Sequence, residues 1–268
     1  MILKFNKIES TLEKSLENLL SVSHLLAIKA EFEAEGTRIE ELIILSEFCC
    51  SRNIAFTLKV GGPSAQRDYY EAFQLGADNI LVPMVESKSS LVSAYEIYSK
   101  FLKLFRELKT IPNFSINIES KLSIDNFDEI LNILKKKGIP LSSIVIGRSD
   151  LSSSLNNSKV DCSQILDISK QILSYKNLFN ITVGGNLTAN SFAFIEELTS
   201  LGLHAFESRK CTFKTDKLLT RKEFSEILDL ALHFELSWLN YKKAFYSTRS
   251  IMDDSRMQII QERLNSSD

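Results

Sequence analysis

Charged side chains recur two residues apart within apolar stretches of this chain. In residues 27–33, Lys29, Glu31 and Glu33 alternate with Ile28, Ala30 and Phe32. A strand turns successive side chains to opposite faces, so these three charges share one face. Thr57 and Lys59 share a face opposite Phe56, Leu58 and Val60. Ser115, Asn117 and Glu119 share one opposite Ile116 and Ile118, and Glu207 shares one with Arg209. Asp150 follows closely on the apolar run 143–147. Carboxylates in such a set suit a hard, oxygen-seeking divalent cation, and the lysines and arginines suit an anionic ligand. The mixture of signs points to a carboxylate-held metal beside an anionic substrate. The competing reading is a network of ion pairs that plugs the interior. Burying that many charges without function is costly, which favours a site.

The elements that position these residues alternate along the chain. Strands are predicted over 25–33, 54–60, 79–85, 114–120, 143–147, 180–184 and 205–213. Amphipathic helices are predicted over 36–52, 64–75, 88–108, 124–137, 162–175 and 188–201, and two more near 221–246 and 252–264. Repeated strand–helix units imply a parallel sheet, and seven or eight of them favour a closed α/β barrel, the (β/α)8 or TIM fold, over an open sheet. An eighth strand is expected either near 212–218 or in the N-terminal stretch 2–5. The serine-rich run 149–158 reads as a strand-to-helix loop. Neither Gly61-Gly62 nor Gly184-Gly185 has dinucleotide-binding spacing. In a barrel of this kind, polar inward residues late in the strands line the mouth where active sites form. Lys29, Glu31, Lys59, Asn117, Glu119, Asp150 and Arg209 all fall there.

Composition excludes several classes. The 268 residues are 44% hydrophobic and 25% charged, which excludes disorder. Nine glycines and four prolines are too few for a turn-rich all-β protein. A net charge of −2 carries no global footprint for nucleic acid or an anionic membrane. No apolar run approaches a membrane span and no secretory signal pattern is visible, so a cytoplasmic protein is expected. Cys49, Cys50, Cys162 and Cys211 read as reduced structural thiols, and His24, His204 and His233 are too scattered for a zinc cluster.

Three blocks carry a family likeness. Residues 116–121, INIESK, are followed by 124–130, IDNFDEI, and by 145–155, VIGRSDLSSSL. With 76–87, GADNILVPMVES, they resemble the HpcH/HpaI aldolase and citrate lyase β-subunit family in order and spacing, over roughly residues 24–212. The resemblance implies a TIM barrel of the phosphoenolpyruvate/pyruvate-binding type. It implies Mg²⁺, Mn²⁺ or another divalent cation, and a pyruvate-like keto acid or its enolate whose carbon–carbon bond is made or broken. The family's metal-binding glutamate falls on Glu119 and its metal-binding aspartate on Asp150. Asn117 stands where the aldolases have a substrate-contacting glutamine. Lys59 aligns with the family's substrate-binding arginine. Gly147, Arg148 and Ser149 form the loop expected to receive the substrate carboxylate, with Lys59 or Arg148 neutralising it.

The chain also departs from that pattern. Phe32 occupies the place of the aldolases' catalytic histidine, Lys29 replaces a family acid, and Arg148 replaces a usual proline. Lys29 could act as the acid–base group, because a buried lysine can have a lowered pKa, or it could simply pair with Glu31 or Glu33. Lys29, Glu31 and Lys59 are therefore the catalytic candidates. Glu207, Arg209 and Lys210, with Lys29, Lys59 and Arg148, would make a basic mouth suited to a multiply carboxylated or phosphorylated ligand. Arg209 joins the substrate-binding candidates.

The whole chain, 1–268, is expected to be one barrel domain, with C-terminal helices over 219–268. Leu228, Leu230, Leu232, Phe234, Leu236 and Trp238 make that segment too apolar for a free tail. It packs either on its own barrel or, as the resemblance suggests, on a neighbouring subunit of a homo-oligomer. The implied function is a metal-dependent carbon–carbon lyase or aldolase. A non-catalytic ligand-binding barrel and a phosphoenolpyruvate-using enzyme are the alternatives.

Overall fold

Apolar and polar residues alternate along the strands of this chain, so each strand presents two different surfaces. In the structure, a computed structural model, the apolar face turns outward to the helices and the polar face turns into a closed barrel. Residues 2–21, 24–105, 107, 111–157, 159–215, 218–246 and 251–265 are described. The elements run α1 (Ile2–Leu20), β1 (Leu25–Glu31), α2 (Ile39–Ser51), β2 (Ala55–Lys59), α3 (Gln66–Gln74), β3 (Asn79–Val82), α4 (Lys88–Leu104) and β4 (Asn113–Ile118). Then come α5 (Lys121–Asp125), α6 (Phe127–Lys137), β5 (Leu141–Gly147), α7 (Arg148–Ser154), α8 (Ser163–Leu173) and β6 (Asn180–Gly184). A 3₁₀ turn (Ala189–Ser191) leads into α9 (Phe192–Ser200), β7 (Ala205–Glu207), β8 (Cys211–Lys214), α10 (Arg221–Tyr246) and α11 (Ile251–Asn265).

Strands β1 to β7 are parallel and adjacent in sequence order. The eighth strand, Cys211–Lys214, falls at the start of one expected stretch, 212–218, and not in the other. The stretch 2–5 is helical, and the strand expected over 205–213 breaks into a hairpin of β7 and β8. Residues 216 and 217 of the other expected stretch lie outside the described residues. Only Ser208, Arg209 and Lys210 join β7 to β8, and a parallel return needs about a dozen residues or more, so β8 runs antiparallel. It pairs Glu207 with Thr212 on one side and Ile28 with Cys211 on the other. The Ser208 N–H donates to the Cys211 carbonyl at 2.8 Å, and the Cys211 N–H donates to Ser208 Oγ at 3.1 Å. The Lys29 N–H donates to the Lys210 carbonyl at 2.7 Å, closing the barrel at the hairpin's tip.

Two further elements differ from the sequence reading. The helix expected over 124–137 divides at Asn126 into α5 and α6, and part of the serine-rich run forms α7. Inside the barrel, polar contacts step between strands. Ser115 Oγ donates to Asn79 Oδ1 at 2.6 Å, and Ser143 Oγ donates to Ser115 Oγ at 2.7 Å.

The helices after the barrel pack on this chain. α1 buries Leu12, Leu16 and Leu19, one helical stripe, and packs along α10. Phe224 at the start of α10 lies 5.2 Å from the Phe206 ring of β7 and 5.8 Å from Phe192 of α9. Among the described residues no helix is long and apolar enough to cross a membrane.

Phe224 is fully buried and ties α10 to β7. Phe224→Ala is therefore expected to cost about 3–5 kcal/mol, read as a lower urea midpoint with an unchanged slope.

Candidate active site

The inward polar residues of the strands converge at the C-terminal ends of β1, β2, β4, β5 and β7. There they line a cavity of about 350 Å³. Lys29, Glu31, Lys59, Asn117, Glu119 and Glu207 form its inner wall, with Gly147, Ser149 and Asp150 at the corner from β5 into α7. Arg209 reaches it from the hairpin tip, and Asn186 and Leu187 from the loop after β6. Leu228, Leu232 and Glu235 of α10 and Arg256 and Arg263 of α11 complete the outer wall. Five basic and five acidic side chains thus face one small space.

The inner charges form a chain across the barrel. Lys29 Nζ lies 2.6 Å from Glu207 Oε1 and 3.5 Å from Glu31 Oε1. Lys59 Nζ lies 3.8 Å from Glu31 Oε2 and 3.6 Å from Glu119 Oε2. Parallel register places Glu31 directly beside Lys59. Asn117 Nδ2 donates to Glu119 Oε2 at 2.8 Å, and the Met84 N–H donates to Glu119 Oε1 at 3.0 Å. Met84 holds a left-handed backbone, with φ of 54°, while making that bond.

Two glycines make room for this chain. A Cβ on Gly147 would meet the Cβ of Glu119 at 2.8 Å, and one on Gly184 would meet the Cγ of Glu207 at 2.8 Å. The two are register partners on β5 and β6. Bare backbone at both lets two carboxylate side chains lie across the rim.

Burial works against charge on Lys29, but Glu207 and Glu31 outweigh it and hold the ammonium above its ordinary pKa. Burial likewise opposes ionisation of Glu31. The nearby Lys29, Lys59, Lys210 and Arg209 reverse that and hold the carboxyl below its ordinary range. The expectation that burial would make Lys29 a base is therefore corrected: its carboxylate neighbours keep it protonated. It pairs with Glu31, as the alternative had it, and more closely with Glu207.

The cavity gathers Lys29, Glu31, Lys59, Asn117, Glu119, Gly147, Ser149, Asp150 and Arg209. Arg148 does not join them, so its expected role in neutralising a substrate carboxylate is corrected. Its side chain is fully buried, donating from Nε to the Gly184 carbonyl at 3.0 Å and from Nη2 to the Gly185 carbonyl at 2.8 Å. Nη1 pairs with Asp161, and the guanidinium lies 4.7 Å over the Phe194 ring. It pins the β6 rim instead. Phe32, in the place of the family histidine, packs against the core and does not line this cavity. Sequence reading missed the outer wall. Arg256 and Arg263 stand seven residues apart, on one helix face, and that spacing is the signal that was available.

Oxygen donors dominate where a cation would sit. Glu119 and Asp150 supply carboxylates, and Asn117 Oδ1 is buried with no hydrogen-bond partner among the described residues. Among the described residues, no three His, Cys, Asp or Glu side chains gather at one point. Two carboxylates and an amide oxygen fit a hard divalent ion that keeps open positions for water and ligand. The side chains from the barrel strands and the α7 corner include four carboxylates and two ammonium groups, an excess that a divalent cation would balance.

An α/β barrel with its ionised groups at the C-terminal rim of its seven parallel strands defines an enzyme-type scaffold. The HpcH/HpaI aldolase/citrate lyase family model matches residues 58–191, half of the sequence, and the chain belongs to that family. Lys59, Asn117, Glu119 and Asp150 fall inside the matched segment, whereas Lys29 and Glu31 precede it. An HpcH/HpaI aldolase from Desulfitobacterium hafniense DCB-2 superposes with a TM-score of 0.57 at 12% identity, over 73% of this chain and 80% of that one. The citrate synthase SbnG superposes at 0.55 with 18% identity, over 71% and 78%. A Haloferax volcanii malate synthase solved with magnesium and glyoxylate superposes at 0.55 with 13% identity, over 76% of this chain and 65% of that one. At these identities the likeness is one of fold. No curated protein sequence matches significantly.

Stability should follow the ionisation of the inner chain. Glu31 contributes fully above its ordinary value of 4.5, and its contribution is lost as pH falls through its lower folded value. Lys29 contributes fully below 10.5 and loses its contribution as pH rises through its higher folded value. Urea unfolding should show a plateau between about pH 5 and pH 10, with Glu31→Gln reducing the loss on the acid side. Arg148→Met should lower stability by about 3–5 kcal/mol in the same assay, because it strands two carbonyls and a carboxylate.

Proposed function

We propose that this protein is a divalent-metal-dependent carbon–carbon lyase or aldolase acting on a pyruvate-type 2-oxo acid or its enolate. The observation that carries the proposal is the convergence of Lys29, Glu31, Lys59, Asn117, Glu119 and Asp150 on one cavity of an aldolase-family barrel. Glu119, Asp150 and Asn117 Oδ1 would hold the ion. When bound, it would polarise the 2-oxo oxygen and offset the negative charge of an enolate.

The chain's own residues supply the rest. Lys59, the more exposed of the two lysines, pairs with the substrate carboxylate, assisted by the backbone at Gly147 and Ser149. Lys29 is locked in its cationic form and stabilises negative charge without trading a proton. Glu31, ionised between the two lysines, is assigned the proton transfer. In the cleavage direction it takes the proton of the 4-hydroxyl. The C3–C4 bond breaks, C4 becomes the aldehyde carbonyl, and the bond's electron pair passes to C3 as enolate. Return of the proton to C3 gives the 2-oxo acid. Addition to an aldehyde is the reverse.

One observation favours a second reading, in which the barrel binds its ligand without turning it over. Lys29 is tied to two carboxylates and the family histidine's place is held by Phe32. Incubation with Mg²⁺ or Mn²⁺, pyruvate and a panel of aldehydes separates the two. The lyase reading expects aldol products by mass spectrometry, lost by about 10²-fold or more in Glu119→Ala and Asp150→Ala. Activity surviving both substitutions would sink the metal mechanism. Pyruvate-dependent thermal stabilisation with no product would favour the binding reading. Phosphate release from phosphoenolpyruvate would redirect the proposal to that substrate.

A further inference from the structure

The charges of the outer wall are engaged with protein groups. Arg256 of α11 makes a bidentate pair, donating from Nε to Glu235 Oε1 at 2.7 Å and from Nη2 to Glu235 Oε2 at 2.9 Å. Arg209 of the hairpin tip lies 3.3 Å from Glu35 Oε1. Arg263 donates from Nη2 to Asn186 Oδ1 at 2.6 Å.

Between these contacts the outer wall is apolar. Leu228 and Leu232 stand four residues apart on α10, so they share one helix face toward the cavity. The next residue that α10 gives to the lining is Glu235, already held by Arg256. Leu187 joins the two leucines from the loop after β6. The rest of the fold holds this patch in place. Leu187 and Leu228 are buried, and Phe224, one turn before Leu228, is anchored on Phe206 and Phe192. Leucine surface that lines a cavity stays in contact with water until an apolar group covers it. An alkyl group gains from that contact, whereas a charged one would give up its water against leucine.

We propose that Leu187, Leu228 and Leu232 form an apolar subsite on the outer wall, one that takes the aliphatic part of the carbonyl partner of the 2-oxo acid. The partner class is a short, unbranched, uncharged aldehyde. The chain is short because the cavity, at about 350 Å³, is near the small end for ligand pockets. The inference rests on the lyase reading for the identity of that partner, but a preference for an alkyl chain over a charged end does not depend on turnover. It makes α10 a specificity element of the site in the same chain.

The test is calorimetric titration, with Mg²⁺ present, of three 2-oxo acids that lack a 4-hydroxyl and so have no bond to cleave: pyruvate, 2-oxohexanoate and 2-oxoglutarate. The wild type should bind 2-oxohexanoate about 10–50-fold more tightly than either of the others. Leu187→Ala, Leu228→Ala and Leu232→Ala should each cut that advantage about 3–10-fold while leaving pyruvate binding unchanged. Leu232→Phe, which fills the subsite, should move the preference from 2-oxohexanoate toward pyruvate. A wild type that binds 2-oxoglutarate as tightly as 2-oxohexanoate overturns the subsite. So does an advantage that every variant retains, or a loss that pyruvate shares equally. Turnover is then read with pyruvate and Mg²⁺ held constant, as the ratio of kcat/KM for butyraldehyde to that for glyoxylate, which should fall in the same variants. A chain-length preference in binding with no aldol product from the wild type keeps the subsite and discards the lyase reading. Aldol product with no such preference keeps the reading and discards the subsite. Should Leu228→Ala fold poorly, Leu232→Ala and Leu232→Phe carry the same comparison.

Discussion

The run of alternating charges from Glu207 through Lys29, Glu31 and Lys59 to Glu119 is the interaction on which the site depends. Each ion is buried or nearly so, and each would be intolerable alone in an interior of low polarity. Alternation makes them tolerable, since every cation lies between two carboxylates. The chain also crosses strands: β7 to β1, β1 to β2, and β2 to the end of β4. It therefore fixes the relative positions of the groups that would meet substrate. The glycines at 147 and 184 follow from it, because the carboxylates of Glu119 and Glu207 occupy the volume where side chains on β5 and β6 would begin.

That arrangement changes the chemistry available to each group. A lysine in an apolar pocket becomes a base near neutrality, while the same lysine between carboxylates becomes a fixed positive charge. Lys29 is the second kind. Its burial, taken from the sequence, suggested the first, and the proximity of Glu207 together with Glu31 reverses the conclusion. Glu207 comes from the other end of the sequence, so no local pattern links it to Lys29.

Much of the fold was legible because its signals are local. Period-two alternation identified β1, β2, β4 and the direction each polar face points, and the spacing of three blocks identified the family. What escaped depended on distance or on turn length. The run 205–213 contains no glycine or proline, so nothing in its composition announced that Ser208 to Lys210 reverse the chain. Arg148 looked like a ligand contact because it adjoins Gly147 and Ser149. In fact the corner into α7 sends its side chain behind β6, toward Asp161 and Phe194. The outer wall was the least visible part. Leu228 and Leu232 were legible as part of a segment too apolar for a free tail, but that they and Arg263 roof the cavity follows from how α10 and α11 return over the barrel.

The antiparallel eighth strand carries a consequence for the order in which the molecule assembles. β7 and β8 pair through a local hairpin, but β8 must then find β1, joining Ile28 to Cys211 across most of the sequence. Contacts of that separation form slowly, since the intervening loop must be closed before they stabilise anything. The same seam carries Lys29 beside Lys210 and faces Glu207. A nascent or partly opened barrel would therefore hold Lys29 and Glu31 without the carboxylate that completes their balance. Barrel closure and assembly of the charge chain are one event, and a protein not yet sealed along β1 and β8 has no site to misuse.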